Sequence, residues 1–284
     1  MGFEVIIIDH HEVLNRLPEA SIIVDPKQRS DDYPFKQFAN AGITYKLAQI
    51  LLGGKLTGLL KRNFLELVVL ATIADMMPQV GENKVFIEEG LGALKKTLRP
   101  GLRIFWQINK TGKSEPVKMT TSRVISVLNA AGTKNHLTES YLLLTSADQE
   151  TAELFVKTLI KKSQEKHLRI QEIVQEIEKR LLRKMESPIV FEGDRNWPLA
   201  LSGPVASLIC RDFQKPVFVF HIGKSISRGG VRTPRNVNSI KAMESCAHLL
   251  ETFGGHPLAS GFTVKNENLD KFRKCLLEYF KKNQ

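Results

Sequence analysis

The sequence has few cysteines and no long hydrophobic run. Its three cysteines, Cys210, Cys246 and Cys275, are far apart and form no Cys-x-x-Cys pair. This spacing excludes a disulfide framework and a cysteine-rich zinc site, and it is typical of a reducing compartment. The longest apolar stretch, 64–77, is shorter than the roughly 18 residues that cross a bilayer, and two acidic residues interrupt it. The N-terminus lacks the features of a signal peptide, so the sequence predicts a cytoplasmic protein with no membrane partner.

Acidic residues are scarce relative to basic ones. The 284 residues include 41 Lys and Arg against 30 Asp and Glu, a net charge of +11. Such an excess indicates an anionic partner, of which nucleic acid is the commonest, although a generally basic proteome gives the same balance. With 42% hydrophobic residues, the chain has a globular composition and enough length for two domains.

Short apolar strands alternate with helical segments, which predicts an α/β fold. Consecutive β-branched residues at 4–9 and 21–25 predict buried strands. An uninterrupted helical period between 147 and 186 predicts one or two long amphipathic helices. Further strands are predicted at 188–191, 216–221, 225–233 (with a break at Gly229-Gly230) and 262–265, and helices at 39–52, 64–74, 83–97, 201–213, 239–253 and 269–281.

Asp9, His10 and His11 directly follow the first predicted strand. Ligands bind at the carboxyl ends of strands in open α/β sheets, and a carboxylate beside two imidazoles suits a metal ion. We predict that His10 binds a metal, that Asp9 orients a ring, and that His11 meets a substrate phosphate. The alternative is an ordinary polar strand end.

Asp75 ends an apolar run that begins at Val68. A carboxylate in that setting is costly to bury unless it is paired or bound to a metal. The C-terminal end of a helix also disfavours negative charge. We therefore favour a functional Asp75 over an exposed helix-end acid.

The segment 254–261 is rich in glycine and small residues around His256. We predict a turn between a helix and a strand, where free N–H groups can hold a phosphate. Arg228, Arg232 and Arg235 precede it and are able to clamp phosphates, although a solvated basic strand edge gives the same pattern. Asn129 opens a second small-residue segment, 129–132, which by itself indicates a helix end.

Taken together, these motifs resemble RecJ, the single-strand-specific 5′→3′ exonuclease of the DHH phosphoesterase superfamily. The resemblance extends over nearly the whole chain, and the motifs keep their order and spacing. They are Asp9-His10-His11, Pro26-Lys27-Gln28, Tyr33-Pro34-Phe35-Lys36, Ala74-Asp75, Gly81-Glu82-Asn83, Asn129-Ala130-Ala131-Gly132 and 254–261.

The resemblance implies a fold and its division. We expect a partial DHH-type parallel-sheet domain at 1–146, a linking helix at 147–186 and a smaller α/β DHH-associated domain at 187–284. It also implies a role in DNA repair and recombination, with single-stranded DNA as the partner.

The resemblance further implies two Mn2+ or Mg2+ ions in the first domain. His10 and Asp75 match metal ligands, whereas Asp9 and His11 match catalytic positions. A separate set matches residues that bind the phosphates of the substrate: Asn129, Arg232, Gly254, Gly255 and His256.

The family has two earlier aspartate motifs that supply most metal ligands, and here the Asp-His-His triplet already begins at residue 9. We therefore expect an incomplete metal site, completed by a missing N-terminal segment or a partner subunit. Val127, Thr133 and Pro198 replace family residues, which predicts weaker DNA contacts. Two alternatives stay open: a DHH nanoRNase or 3′-phosphoadenosine phosphatase, and a non-catalytic nucleic-acid-binding relative of RecJ.

Overall fold

The computed structural model describes residues 2–13, 17–108, 116–134, 136–182 and 187–282. The chain divides into two compact units, 1–165 and 166–284. Both units contain strands and helices, which confirms the α/β class. No described helix combines the length and the apolar character that a bilayer crossing requires.

The first unit is mostly helical around a small parallel strand pair. Strands β1 (Ile6–Ile8) and β2 (Ile22–Val24) pair in parallel, at the two places where β-branched residues predict strands. The strands are not buried as predicted, since Ile6 and Ile22 are exposed. The other elements of this unit are α1 (Asn40–Leu52), α2 (Gly58–Ala74), α3 (Gly81–Leu94), α4 (Pro100–Ile108), α5 (Val117–Leu128), β3 (Thr133–Lys134), β4 (Leu137–Thr138) and α6 (Glu139–Thr145).

A long helix, α7 (Gln149–Leu181), confirms the predicted helical stretch. Its first part contributes Ala152, Val156 and Leu159 to the core of the first unit. Its second part places an apolar stripe in the core of the second unit, because residues three or four apart lie on one helix face. The predicted boundary at residue 186 lies outside the described residues, and the three-part division of the chain stays a prediction.

The second unit is built on a mixed sheet in the order β5-β6-β7-β9-β8. Strands β5 and β6 are parallel, and the remaining neighbours are antiparallel. Its elements are β5 (Val190–Asp194), α8 (Leu199–Phe213), β6 (Val217–Ile222), β7 (Ile226–Arg232), α9 (Ser239–Glu244), β8 (Leu250–His256), β9 (Ala259–Lys265) and α10 (Leu269–Lys282).

Helices cover both faces of this sheet. Val217 and Val219 of β6 pack with α7 and α8, whereas Phe218 and Phe220 pack with α9 and α10. The two sets alternate along the strand because successive side chains point to opposite faces.

Two sequence predictions in this unit are wrong. Strand β7 is not broken at Gly229-Gly230, since both glycines pair with β6 and with β9. The predicted helix 239–253 ends at Glu244, and its last part belongs to the edge strand β8. Pairing with β9 satisfies the backbone of 250–256, so tertiary context overrides the local helical pattern.

The second unit contains one disulfide, which the wide spacing of the cysteines did not predict. A disulfide joins Cys246, which follows α9, to Cys275 of α10, and Cys210 is free and buried. The two linked residues are 29 positions apart. Only the packing of α10 against the sheet brings them together, and sequence spacing does not reveal it.

Candidate functional site

Asp9, His10 and His11 form a tight cluster just beyond β1. The amide of Asp9 donates to the carbonyl of Val24 (3.0 Å), so the parallel pairing continues into the cluster. Oδ1 of Asp9 accepts from the amide of His10 (2.7 Å) and lies 2.7 Å from Nδ1 of His11. One ligand atom from each of the three residues lies within 4.8 Å of the others.

The carboxyl of Asp9 is tuned by these contacts. Burial acts to raise its pKa, but the hydrogen bonds from the ring of His11 and the amide of His10 outweigh it. The pKa of Asp9 therefore lies below its ordinary value. A carboxylate that stays ionised is able to orient the His11 ring and to hold the strand end.

Asp75 reaches the same cluster from a different element. It caps the C-terminus of α2, where its amide donates to the carbonyl of Ala71 (2.9 Å). Its Oδ2 lies 2.8 Å from Nε2 of His10, and the His10 side chain is only 10% exposed. The structure thus brings together four sequence-predicted site residues that come from two distant segments.

These donors fit a divalent cation. Carboxylate and imidazole ligands suit Mn2+, and carboxylates suit Mg2+. Octahedral ligands at about 2.1 Å lie about 3 Å apart, which is close to the separation of Asp75 Oδ2 and His10 Nε2. The other ring nitrogen of His10, Nδ1, is buried and has no hydrogen-bond partner within the described residues. A buried histidine with a purely structural role would normally have its ring nitrogens hydrogen-bonded.

Asn83 supports the segment that carries Asp75, a role that sequence reasoning missed. It is fully buried at the start of α3, and its amide donates to the carbonyls of Gln37 and Pro78 (3.0 Å to Pro78). It therefore ties the connection between α2 and α3 to the loop before α1. The Gly81-Glu82-Asn83 motif is visible in the sequence, but the contact is not.

Asn129 lies in a separate cluster of the first unit. It caps the C-terminus of α5, as its small-residue neighbourhood predicts. The turn that it opens is held by Glu139, whose Oε2 accepts from the amide of Gly132 (2.8 Å) and contacts Nζ of Lys162 (2.7 Å). A role of Asn129 in phosphate binding stays a prediction.

In the second unit, the sheet brings the predicted phosphate-binding residues into one row. Arg232 of β7 lies opposite Ala259 of β9, which lies opposite His256 of β8. Two residues along each strand, a glycine row runs across the same strands and consists of Gly230, Gly261 and Gly254. Residues two apart share a face of a strand, so this register places the glycine row beside Arg232 and His256.

Gly254 and Gly255 are needed for different reasons. Both lie in β8 rather than in the predicted turn between a helix and a strand, so that prediction is wrong. A Cβ atom at Gly254 meets open space, whereas at Gly255 (φ +127°) it comes within 2.7 Å of the β9 backbone. Gly255 is thus a requirement of the fold, and Gly254 leaves the surface open to a ligand.

Arg232 has an unusual electrostatic setting. Its guanidinium bonds only neutral partners within the described residues, Ser207 Oγ (3.1 Å) and the carbonyl of Val231 (2.8 Å). Burial lowers its pKa, which the nearby Cys210 offsets only in part. A desolvated cation without an acidic partner is a suitable site for an anion.

Comparisons with known proteins find one domain family and several relatives. Residues 186–282 match the DHHA1 domain family. The RecJ single-stranded-DNA-specific exonuclease of Bacillus subtilis is 32% identical over 98% of this chain and 35% of its own length. That of Thermus thermophilus is 28% identical over 98% of the chain and 40% of its own length. The chain therefore spans well under half of these two relatives.

Solved structures share the fold. RecJ of Thermus thermophilus in complex with Mn2+ matches with a TM-score of 0.82 at 22% identity, over 98% of this chain and 41% of that one. An exonuclease RecJ bound to manganese matches with a TM-score of 0.72 at 24% identity, over 98% of this chain and 69% of that one.

The chain contains a match to the DHHA1 domain in its second unit and an Asp-His-His cluster in its first. It is similar to RecJ exonucleases over nearly all of its own length and shares the fold of solved RecJ structures. The resemblance drawn from the sequence motifs is confirmed.

Proposed function

We propose that this chain is part of a metal-dependent 5′→3′ exonuclease for single-stranded DNA that acts in DNA repair and recombination. The observation that carries the proposal is the cluster of Asp9, His10 and His11, together with the contact of Asp75 Oδ2 with Nε2 of His10. The exonuclease names of the RecJ relatives support the substrate and the reaction.

His10 and Asp75 would hold Mn2+ or Mg2+, which supplies charge stabilisation at phosphorus and lowers the pKa of a bound water. Asp9 fixes the ring of His11 through Nδ1. His11 is exposed, with 64% of its side-chain surface accessible, and we propose that it contacts the scissile phosphate.

Two six-coordinate ions need more donors than these side chains supply. We propose that further ligands come from water, from the DNA phosphate, and from another protein segment or a partner subunit. The second unit would bind the phosphates of the strand with Arg232, Gly254, Gly255 and His256. Residues 166–284 carry 20 basic against 12 acidic side chains, which favours a nucleic-acid partner there.

The direct experiment incubates the chain with 5′-labelled single-stranded DNA and Mn2+. We expect the chain to bind Mn2+, as followed by the loss of the free-ion electron paramagnetic resonance signal. We expect mononucleotide release that EDTA stops once the additional segment or subunit that completes the site is supplied. A dinucleotide substrate run in parallel distinguishes an exonuclease from a nanoRNase.

Asp75→Ala serves as the site variant and Asp212→Ala as an exposed control. We expect Asp75→Ala to weaken Mn2+ binding by at least about tenfold, with DNA binding retained. Mn2+ binding unchanged in Asp75→Ala would remove this residue from the site. DNA binding without any Mn2+ binding would instead favour the second candidate, a non-catalytic nucleic-acid-binding relative of RecJ, which the basic second unit also suits.

A further inference from the structure

The guanidinium of Arg232 is held in place without losing its charge. Its Nε donates to Oγ of Ser207 (3.1 Å) and its Nη1 donates to the carbonyl of Val231 (2.8 Å). Both acceptors are neutral, and no acidic side chain pairs with this arginine in the part of the chain that the structure describes. Two of its nitrogens are thus fixed, while Nη2 has no acceptor among the residues that the structure describes.

Ser207 is itself oriented for this contact. Its hydroxyl donates to the carbonyl of Gly203 (3.0 Å), one turn earlier in α8. A hydroxyl has one proton and two lone pairs. Because the proton is directed to Gly203, a lone pair is left to accept from Arg232.

Gly203 gives the guanidinium its space. A Cβ atom at this position would lie 3.1 Å from Nη2 of Arg232 and 3.7 Å from its Cζ. A larger residue would therefore push the guanidinium away from α8. The close approach needs glycine for space rather than for an unusual backbone conformation.

We propose that Ser207 and Gly203 are positioning residues that present the charged guanidinium of Arg232 to a phosphate of single-stranded DNA. The proposal rests on the phosphate-binding role proposed above for Arg232. A serine suits this task because it is a neutral acceptor, which orients the guanidinium and leaves its positive charge available to the ligand. An acidic residue at the same place would form an ion pair with Arg232 and cancel that charge.

The test measures binding of a short fluorescent oligothymidylate to the full chain by anisotropy, over a series of salt concentrations. The variants are Arg232→Ala, Ser207→Ala and Ser207→Asp. Ser122→Ala and Ser122→Asp are the matched controls, because Ser122 is an exposed serine of α5 that donates to the carbonyl of Lys118 (3.0 Å) in the same manner.

We expect Ser207→Asp to weaken binding by roughly tenfold, about as much as Arg232→Ala. Both should reduce the slope of log K against log salt by about 0.7, the value for one phosphate contact on a single strand. Ser207→Ala leaves the charge in place, so we expect a loss of about threefold with an unchanged slope. The Ser122 variants should bind like the unmodified chain.

Gly203→Ala tests the same geometry independently. Alanine has a higher helix propensity than glycine, so thermal stability should hold or rise. DNA binding should nevertheless fall by about threefold, because the displaced guanidinium meets the phosphate less well. If Gly203 had a purely structural role, thermal stability and DNA binding would instead change together in Gly203→Ala.

The outcomes separate this inference from the proposed function. If Arg232→Ala binds DNA like the unmodified chain, the phosphate role of Arg232 itself fails. If Arg232→Ala is weakened while both Ser207 variants and Gly203→Ala bind normally, only the positioning role is overturned. The double variant Arg232→Ala/Ser207→Asp should be no weaker than Arg232→Ala alone, and an additive loss would contradict an action through Arg232.

Discussion

Two arginines of the second unit occupy opposite electrostatic environments. Arg180 of α7 donates to Oδ2 of Asp194 (2.9 Å) and to Glu176, and its guanidinium lies 4.8 Å from the centre of the Trp197 ring. Arg232 has only neutral partners in the described structure. Burial acts to lower the pKa of both, but the acidic partners reverse the effect for Arg180, whose pKa is raised.

The difference indicates how one residue type serves two purposes. The charge of Arg180 is used inside the protein, where it fastens the second part of α7 to the end of β5. The charge of Arg232 is not cancelled by the fold, and the neighbouring glycine row leaves room for an anion. In the sequence Arg180 and Arg232 are simply two basic residues, and only the groups that they contact in the folded protein distinguish them.

The largest expected effect comes from Arg180→Met. It removes the cation that pairs with Glu176 and Asp194, so we expect the free energy of unfolding to fall by about 3 kcal/mol. Urea denaturation measures the change. Lys179→Met, an exposed neighbour on the same helix, should stay within about 0.5 kcal/mol of the unmodified chain. DNA binding should not change. A loss of DNA binding in a folded Arg180→Met would mean that Arg180, like Arg232, contributes to binding the ligand.

The next effect concerns the glycine row. Gly254→Val places its side chain in open space, so the fold should tolerate it. DNA binding should weaken by roughly tenfold, because the valine covers the surface beside Arg232.

The neighbouring variant Gly255→Val is the contrast. Its Cβ collides with the β9 backbone, and we expect it to destabilise the fold by at least about 2 kcal/mol. Differential scanning fluorimetry and anisotropy separate the two variants. Normal DNA binding by a folded Gly254→Val would exclude the glycine row as a binding surface.

A smaller effect is expected for Asp194→Asn, and it depends on pH. The amide of Asn196 lowers the pKa of Asp194, with a further contribution from Arg180 against the opposing effect of burial. The folded state then binds the proton less readily than the unfolded state. The stabilisation is complete at neutral pH and is lost as pH falls through the lowered pKa.

We therefore expect the free energy of unfolding of Asp194→Asn to be about 1 kcal/mol lower than that of the unmodified chain at neutral pH. In acid the two free energies should become equal. Unfolding in urea at a series of pH values provides the check. An equal loss at every pH would assign the effect to packing instead of charge.

The smallest effect is on the stability of Arg232→Met. Removing a desolvated and unpaired charge should leave the free energy of unfolding unchanged or raise it by up to about 1 kcal/mol. The same urea measurement applies. A clear destabilisation would mean that Arg232 has a structural role like that of Arg180.

Much of the candidate site was predictable because its chemistry is local in sequence. Asp9, His10 and His11 are consecutive after a strand, and a strand end is where α/β proteins bind ligands. Asp75 was predictable as an unfavourable acid at the end of an apolar helix. Its contact with His10 and the support from Asn83 were not, because they join segments that are distant in sequence.

The second unit contained the larger surprises. The helical period over 239–253 and the glycines at 254 and 255 predicted a helix and a turn, yet 250–256 is an edge strand. Backbone pairing with β9 decided that conformation. The disulfide between Cys246 and Cys275 likewise depends on the packing of α10.

The sequence by itself determined the α/β class, the long helix, the Asp-His-His cluster and the basic character of the chain, because each depends on residues that are near one another or on composition alone. The tertiary structure decided the contact of Asp75 with His10, the alignment of Arg232 with His256 and the absence of an acid from the described partners of Arg232. These features depend on strand register and helix packing, which set distances between residues that are remote in the chain.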